Sequence, residues 1–174
     1  MNGDRSLALS DGTRVPLRRI RAEDAEALQR LVGRSSDRSV ELRFFGPLKE
    51  LSDQMARRFS DVDGKDKFAL VALDPENPGE IIGVVRYARE RGTDEAEYAA
   101  LIEDRFQGRG LGIGLTRRLV ETARENGIGC LHAMVMRENA RMLGLLRSLS
   151  LPERVQRQDG AHRVEIDLAS GPAA

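Results

Sequence analysis

The sequence is poor in the residues that usually form metal sites and crosslinks, since its 174 residues include one cysteine, two histidines and no tryptophan. A single cysteine excludes an internal disulfide and is typical of proteins in a reducing cytoplasm. Cys130 lies in an apolar run, so we expect a buried structural thiol rather than a nucleophile. His132 and His162 have no cysteine or acidic residue at ligand spacing, which predicts that the chain holds no metal ion.

An excess of charge of either sign is also absent, because 28 basic residues balance 28 acidic ones. Zero net charge excludes attraction to nucleic acid or to anionic membranes through the overall field. The first residues are polar, without the apolar core of a signal peptide, and no apolar run approaches membrane-spanning length. We therefore expect a cytoplasmic protein, a monomer or a homodimer, without nucleic-acid or membrane partners.

Hydrophobic periodicity divides the chain into strands and helices. Two short alternating runs predict strands over residues 6–10 and 14–20. Further strands are predicted over residues 68–73, 81–89, 96–102 and 131–136, with a closing hairpin around residue 155 and residues 164–168. Helical spacing predicts helices over residues 22–33, 36–45, 52–59, 111–126 and 138–148. This order, with one strand–helix–strand crossover, predicts an α/β (α+β) fold with a mixed sheet and one parallel pair. The length suits one domain, residues 1–174, with its core in residues 15–168 and a tail in residues 169–174.

The segment that joins the fifth predicted strand to the long helix has glycine at every second position from Gly108 to Gly114. A glycine loop at a helix start offers unpaired backbone N–H groups and the positive end of the helix dipole to an anion, most often a phosphate. The spacing does not match the dinucleotide fingerprint, because Ile113 stands where glycine is required, and the P-loop pattern does not occur. A loop that only starts the helix is the alternative interpretation.

The pattern Gln107-x-x-Gly110-x-Gly112, within this order of elements, resembles the loop signature of the GNAT superfamily of N-acetyltransferases. The resemblance covers residues 15–168. It implies a mainly antiparallel mixed sheet with one splayed parallel pair, helices on both faces, and acetyl-CoA (coenzyme A) as the cofactor, with its diphosphate on the loop.

Further segments, including Arg43-Phe44-Phe45 and Ala96-Glu97-Tyr98-Ala99, are more narrowly similar to the catalytic domain of bacterial Pat-type protein lysine acetyltransferases. Those enzymes acetylate a lysine on acyl-CoA synthetases. Two features depart from that family. We expect no second, regulatory domain of the kind that this family carries, because these 174 residues leave no room for one. Ser150-Leu151 stands where the family has Gly-Phe after the last helix.

The resemblance also implies roles for individual residues. Glu97 matches the catalytic glutamate and is the expected general base, in partly dry surroundings; a solvated strand end is the alternative. Arg43 and Phe44 are expected to bind the acceptor, although core packing is the default for Phe44 and Phe45. The residues expected to bind the cofactor are Ala99, Ala100, Leu101, Gln107, Gly108, Arg109, Gly110, Leu111, Gly112, Asn139 and Arg147.

The sequence shows no side chain for two steps of acetyl transfer, and several polar side chains are expected to be structural. No side chain is evident for stabilising the thioester oxyanion, and the last helix lacks the tyrosine acid that many GNAT enzymes carry. Tyr87 and Tyr98 are expected to be structural. Glu103 and Asp104 are expected to shape the loop. Asn139 also suits a helix N-cap, and a solvated helix face is the alternative for Arg147.

The expected function is acetyl-CoA-dependent N-acetyl transfer to a lysine of a protein such as an acyl-CoA synthetase, in a ternary complex. A base is needed because a lysine with a pKa of about 10.4 is almost entirely protonated at neutral pH. A small amine as acceptor is the first alternative. A module that senses acyl-CoA without catalysis is the second.

Overall fold

The computed structural model describes residues 5–171, whose strands join into one eight-stranded sheet. The strands are β1 (Ser6–Ala8), β2 (Arg14–Arg19), β3 (Lys67–Leu73), β4 (Ile81–Arg89), β5 (Glu95–Ile102), β6 (Cys130–Met136), β7 (Glu153–Gln158) and β8 (Ala161–Asp167). Their order is β1-β2-β3-β4-β5-β6-β8-β7, and all neighbours are antiparallel except β5 and β6. The expected mixed sheet with one parallel pair is confirmed. Residues 1–4 and 172–174 of the expected domain and tail lie outside the described part.

Helices lie on both faces of the sheet, as expected. The described residues form the α-helices α1 (Ala25–Arg34), α2 (Asp37–Phe44), α3 (Asp53–Ser60), α4 (Leu111–Glu125) and α5 (Ala140–Arg147). Strand β3 shows how the core is divided, because Phe68 and Leu70 pack with α4 whereas Ala69 and Val71 pack with α1, α2 and α3. None of the helices in residues 5–171 is long and apolar enough to cross a membrane.

Side chains before the helices determine where three of them begin. Ser36, Ser52 and Asn139 each accept a hydrogen bond from the backbone N–H three residues later, at 3.1, 3.2 and 3.1 Å. Each bond satisfies an amide that has no partner within its own helix. The expected N-cap role of Asn139 is therefore confirmed.

The helix predicted over residues 22–33 is interrupted near its start. Residues Ala22–Asp24 form a 3₁₀ turn ahead of α1. The buried carboxylate of Asp24 accepts hydrogen bonds from Arg18 Nη1 at 2.7 Å and from the Arg21 backbone N–H at 2.8 Å. Burial opposes ionisation of Asp24, yet these bonds leave its pKa below the ordinary value.

The parallel strands β5 and β6 separate soon after they meet. They pair only over Glu95–Glu97 and Cys130–His132, and β5 continues to Ile102. Backbone bonds from Glu90 N–H to the Glu95 carbonyl and from Glu103 N–H to the Ile82 carbonyl show that odd-numbered residues of β5 turn their polar groups towards β4. Even-numbered residues turn theirs towards β6. Beyond the paired segment these groups face a gap between the two strands.

Candidate active site

Two cavities meet at the gap between β5 and β6. The loop cavity, of about 350 Å³, lies between α2, the end of β5, Gln107 and α5. The Glu97 cavity, of about 380 Å³, lies between the end of α2, β5 and β6. Arg43, Ala100 and Met142 line both cavities. A molecule that extends through the gap would therefore contact all three residues.

The glycine loop adopts the backbone that its composition suggested. Gly108 and Gly110 have φ values of +71° and +89°, and nothing lies within 4 Å of where their Cβ atoms would be. Glycine is required there by conformation rather than by space. The first bond of α4 runs from Gly114 N–H to the Gly110 carbonyl, so the amides of residues 111–113 precede it and have no partner within the helix.

Gly112 also has a packing role that its place in the motif did not suggest. A Cβ atom on Gly112 would lie 2.8 Å from Leu145 Cδ1, so this glycine allows α4 and α5 to approach each other closely. Gly114 likewise leaves room for Leu7, whose Cδ2 would overlap an added Cβ atom. These two glycines serve packing, whereas Gly108 and Gly110 serve the turn.

Gln107 holds the loop cavity together. Its Nε2 donates to the Ile102 carbonyl at 2.9 Å and to Ser39 Oγ at 3.1 Å, and its Oε1 accepts from Arg141 Nη1 at 2.6 Å. It therefore links β5, α2 and α5. Of the loop residues in the predicted motif, only Gln107 lines the cavity.

The acidic residues before the loop shape it, as expected. Glu103 is buried and accepts from Arg34 Nε at 3.1 Å and Arg105 Nε at 2.5 Å. Asp104 accepts from the Ser36 backbone N–H at 2.8 Å and from Ser39 Oγ at 2.9 Å. Burial opposes its ionisation, but these bonds hold the pKa of Asp104 below the ordinary value.

The two arginines expected to bind the cofactor, Arg109 and Arg147, do not line the loop cavity. Arg147 is exposed in the last turn of α5 and lines neither cavity. Arg109 donates to the side chain of Asp11 and stacks on Phe106 at 5.0 Å, so its charge is engaged in the β1–β2 hairpin. Arg38 and Arg141 line the cavity instead. Sequence reasoning missed both because nothing in the motif marks them.

Pairing between β5 and β4 decides which backbone N–H groups of β5 are free to bind the cofactor. Ala99 and Leu101 are odd-numbered, so their N–H groups belong to the ladder with β4. Only Ala100, of the three expected residues, turns its N–H towards the gap. The backbone N–H groups of Ala99 and Leu101 are therefore not available to a cofactor in the gap.

Glu97 lies on β5 and lines the cavity named after it. Its side chain is exposed, so the expected partly dry surroundings are not found. The predicted core position of Phe45 is also wrong, since this residue is 46% exposed, has a φ of +60° and lines the same cavity. Phe44 is partly buried beside it, and Met134, 37% exposed, lies on the β6 side.

A cationic cluster borders the Glu97 cavity. The guanidinium of Arg43 lies 4.6 Å from the Phe44 ring centroid and 5.8 Å from that of Phe59, and Arg86 stacks on the same Phe59 ring at 4.5 Å. Burial lowers the pKa of Arg43, while the charge of Glu97 opposes this effect. Burial together with the charge of Arg43 lowers the pKa of Arg86 to about 10. Glu97 thus provides negative charge beside two crowded cations.

His132 has acidic neighbours after all. The fold brings ligand atoms of His132, Glu90 and Glu95 within 4.8 Å of one another, and His132 Nε2 lies 2.8 Å from Glu90 Oε1. The expectation that no acidic residue accompanies this histidine is wrong, because its partners come from other strands and not from nearby sequence. The positive charge in this cluster comes from Arg163, which lies 3.4 Å from His132 Nδ1 and 4.0 Å from Glu95.

The tyrosines and the cysteine have structural surroundings. Tyr98 is buried and its hydroxyl lies 2.7 Å from Thr116 Oγ1, while the Tyr87 hydroxyl donates to the Lys65 carbonyl at 2.8 Å. These hydrogen bonds agree with the structural role expected for both tyrosines, although Tyr98 also lines the Glu97 cavity. Cys130 is only partly buried, less than expected, but burial raises the pKa of its thiol and so disfavours the reactive thiolate.

The fold and sequence match known acetyltransferases. The sequence profile of the Acetyltransferase (GNAT) domain matches residues 14–151. An acetyltransferase of Pseudomonas aeruginosa is 34% identical over 144 residues, which make up 82% of this chain and 77% of that protein. The GNAT domain of S. lividans Pat has 34% identity and a TM-score of 0.86, covering 93% of this chain and 95% of that one. A phosphinothricin acetyltransferase from Sinorhizobium meliloti, solved with acetyl-CoA, shares the fold at 21% identity and a TM-score of 0.71, covering 91% and 93% of the two chains. The chain therefore belongs to the GNAT acetyltransferase family, whose members are acyltransferases with acetyl-CoA as co-substrate.

Proposed function

We propose that this chain acetylates a lysine side chain of a protein, directly from acetyl-CoA in a ternary complex, with Glu97 as the general base. One observation carries the proposal: the loop cavity and the Glu97 cavity meet at Arg43, Ala100 and Met142. A thioester entering from one cavity and an amine entering from the other would come together there. Glu97 lies on the amine side of this junction.

The loop cavity and the start of α4 are the proposed acetyl-CoA site. The amides of residues 111–113, which have no partner within α4, and the dipole of that helix suit the diphosphate. Arg38 and Arg141 add positive charge. Gln107 and Asn139 shape the wall of the cavity. The pantetheine arm would take the place of the missing strand in the gap, which brings its thioester to the free N–H of Ala100.

The surroundings of the Glu97 cavity favour a protein acceptor. Phe45 and Met134 are exposed apolar side chains at this cavity, and such residues suit contact with a folded partner. The strained backbone of Phe45 also supports a functional role for this surface, because a bulky residue with positive φ is costly and occurs mainly at functional sites. Arg43 and Arg86 would repel a polycationic small amine. Similarity to Pat-type enzymes suggests an acyl-CoA synthetase as the acceptor.

We extend the proposal to the whole chain as one acetyltransferase domain that works in the cytoplasm, as a monomer or a homodimer. The single, partly buried cysteine suits a reducing compartment.

The test uses labelled acetyl-CoA with three acceptors: an acyl-CoA synthetase from the same host, a lysate of that host, and spermidine. We expect label on a lysine of the synthetase, located by mass spectrometry, and none after that lysine is replaced by arginine. Transfer only to spermidine would replace the protein acceptor with a small amine. Tight acetyl-CoA binding without transfer to any acceptor would show a sensor and contradict the proposal.

A further inference from the structure

The junction between the two cavities contains one side chain with unused hydrogen-bond donors. Met142 has none, and Ala100 contributes only its backbone. Arg43 has a guanidinium with several N–H groups, and within residues 5–171 no group accepts a hydrogen bond from it and no carboxylate oxygen lies within 4.0 Å of it. An unpaired, partly buried cation is costly unless something else completes its surroundings.

The position of Arg43 is fixed even though its donors are unused. Its guanidinium stacks on Phe44 and Phe59, at 4.6 and 5.8 Å from the ring centroids. Neighbouring Arg86, by contrast, donates to the Phe59 carbonyl at 3.1 Å and lines neither cavity. Arg43 is therefore a preorganised cation that lines both cavities at the place where they meet.

Acetyl transfer creates negative charge at that place. Glu97 first accepts a proton from the lysine ammonium, and the neutral nitrogen then bonds to the carbonyl carbon as the carbonyl π pair moves onto oxygen. The oxyanion reforms the carbonyl as the carbon–sulfur bond breaks, and the departing thiolate of coenzyme A takes the second proton from the nitrogen and leaves as a thiol. A fixed cation beside the oxygen lowers the barrier because it needs no reorganisation when the charge appears.

We propose that Arg43 is a catalytic residue whose guanidinium, together with the Ala100 N–H, stabilises the thioester oxyanion. This inference rests on the proposed function, because it assumes that the acetyl group lies at the junction. It gives a chemical role to a residue that the sequence suggested only as part of the acceptor groove.

The test compares Arg43→Met, Arg43→Lys and the control Arg58→Met. Methionine keeps an apolar stem over Phe44 without the charge, and lysine keeps a charge without the planar donors. Arg58 is an exposed cation near Arg86 that lines neither cavity. Acetyl-CoA affinity is measured by calorimetry, folding by thermal melting, and transfer by the release of coenzyme A.

We expect Arg43→Met to lower kcat by about 10² or more, the usual effect of removing one oxyanion donor, with acetyl-CoA affinity unchanged within threefold. Arg43→Lys should fall between wild type and Arg43→Met, and Arg58→Met should match wild type. If Arg43→Met does not fold, Arg43→Lys carries the test. A loss confined to the acceptor KM, or a kcat within threefold of wild type for the variants that fold, would overturn the proposal.

A second readout does not depend on the acceptor. The infrared carbonyl stretch of bound [1-¹³C]acetyl-CoA should lie at lower frequency in wild type than in Arg43→Lys or Arg43→Met, because the guanidinium polarises the carbonyl. Equal frequencies would overturn the role of Arg43. If wild type acetylated no protein lysine but the shift were present, the proposed acceptor would be wrong and the role of Arg43 would stand.

Discussion

Replacing Glu97 by glutamine tests the proposed base most directly. Glutamine keeps the size of the side chain and removes only its ability to accept a proton. Glu97 is exposed at the Glu97 cavity, so the substitution should change the free energy of unfolding by no more than about 0.5 kcal/mol. A loss of activity would therefore report on chemistry rather than on folding.

The size of the loss follows from the ionisation of the acceptor. A lysine with a pKa of about 10.4 is neutral in roughly 1 of 800 molecules at pH 7.5 and 1 of 9 at pH 9.5. Without a base the enzyme depends on this neutral fraction. We expect Glu97→Gln to lower kcat/KM by about 10²–10³ at pH 7.5, within the range for general-base catalysis. The deficit should shrink by nearly 100-fold by pH 9.5.

The assay measures coenzyme A release from pH 6.5 to pH 9.5 at saturating acetyl-CoA. Glu95→Gln is the matched control, because Glu95 lies two residues earlier on the same face of β5 and lines neither cavity. We expect the control to follow wild type across the range. Full turnover by Glu97→Gln at pH 7.5, or a constant deficit at every pH, would refute Glu97 as the base.

Three further substitutions test other parts of the structure. Gly110→Ala puts a side chain on a residue with a φ of +89°, so urea unfolding should show a free energy of unfolding lower by about 1–2 kcal/mol, and acetyl-CoA binding should weaken. The control is Gly33→Ala, in α1 with open space around it, which should not lower the free energy of unfolding. Tyr98→Phe removes the bond to Thr116 and should cost about 1 kcal/mol without changing kcat. The pKa of Asp24 is lower in the folded state, so the stability it contributes is complete at neutral pH and is lost below about pH 4. The melting-temperature deficit of Asp24→Asn should therefore be largest at pH 7.

Each of these substitutions has an outcome that would contradict its reasoning. Equal stability of the two glycine variants would show that the loop tolerates a Cβ atom at Gly110. A large fall in kcat for Tyr98→Phe would give this hydroxyl a chemical role. A deficit for Asp24→Asn that stays constant down to pH 3 would mean that the Asp24 carboxylate does not contribute stability through its charge.

Much of the fold and the glycine loop could be predicted from the sequence, because both are encoded locally. The period of apolar residues identified β3 to β6 and α4 within a residue or two, and the positive φ of Gly110 follows from its place before a helix. The Asn139 cap was also visible in the sequence. These features depend on neighbours within one or two turns of the chain.

Features that depend on contacts between distant segments could not be predicted. Gly112 reads as part of a loop motif, yet its contact is with Leu145 on α5. His132 has no acidic residue beside it in sequence, yet Glu90 and Glu95 reach it from the β4–β5 turn and from β5. The Arg141 contact with Gln107 likewise joins residues 34 positions apart. No local pattern marks such partners.

The gap between β5 and β6 explains why the loop cavity and the Glu97 cavity can serve one reaction. Strand β6 pairs with β8 along its whole length, Cys130–Met136, whereas it pairs with β5 over three residues only. β6 therefore follows β8, and α5 comes to lie beside the opening with Met142 between the two cavities. The close approach of α5 to α4 is permitted by the missing side chain of Gly112. A larger residue there would displace Leu145, and with it the helix that carries Met142. On this argument, the second glycine of the motif serves the junction at Arg43 through packing, while Gly110 serves the anion site through its backbone.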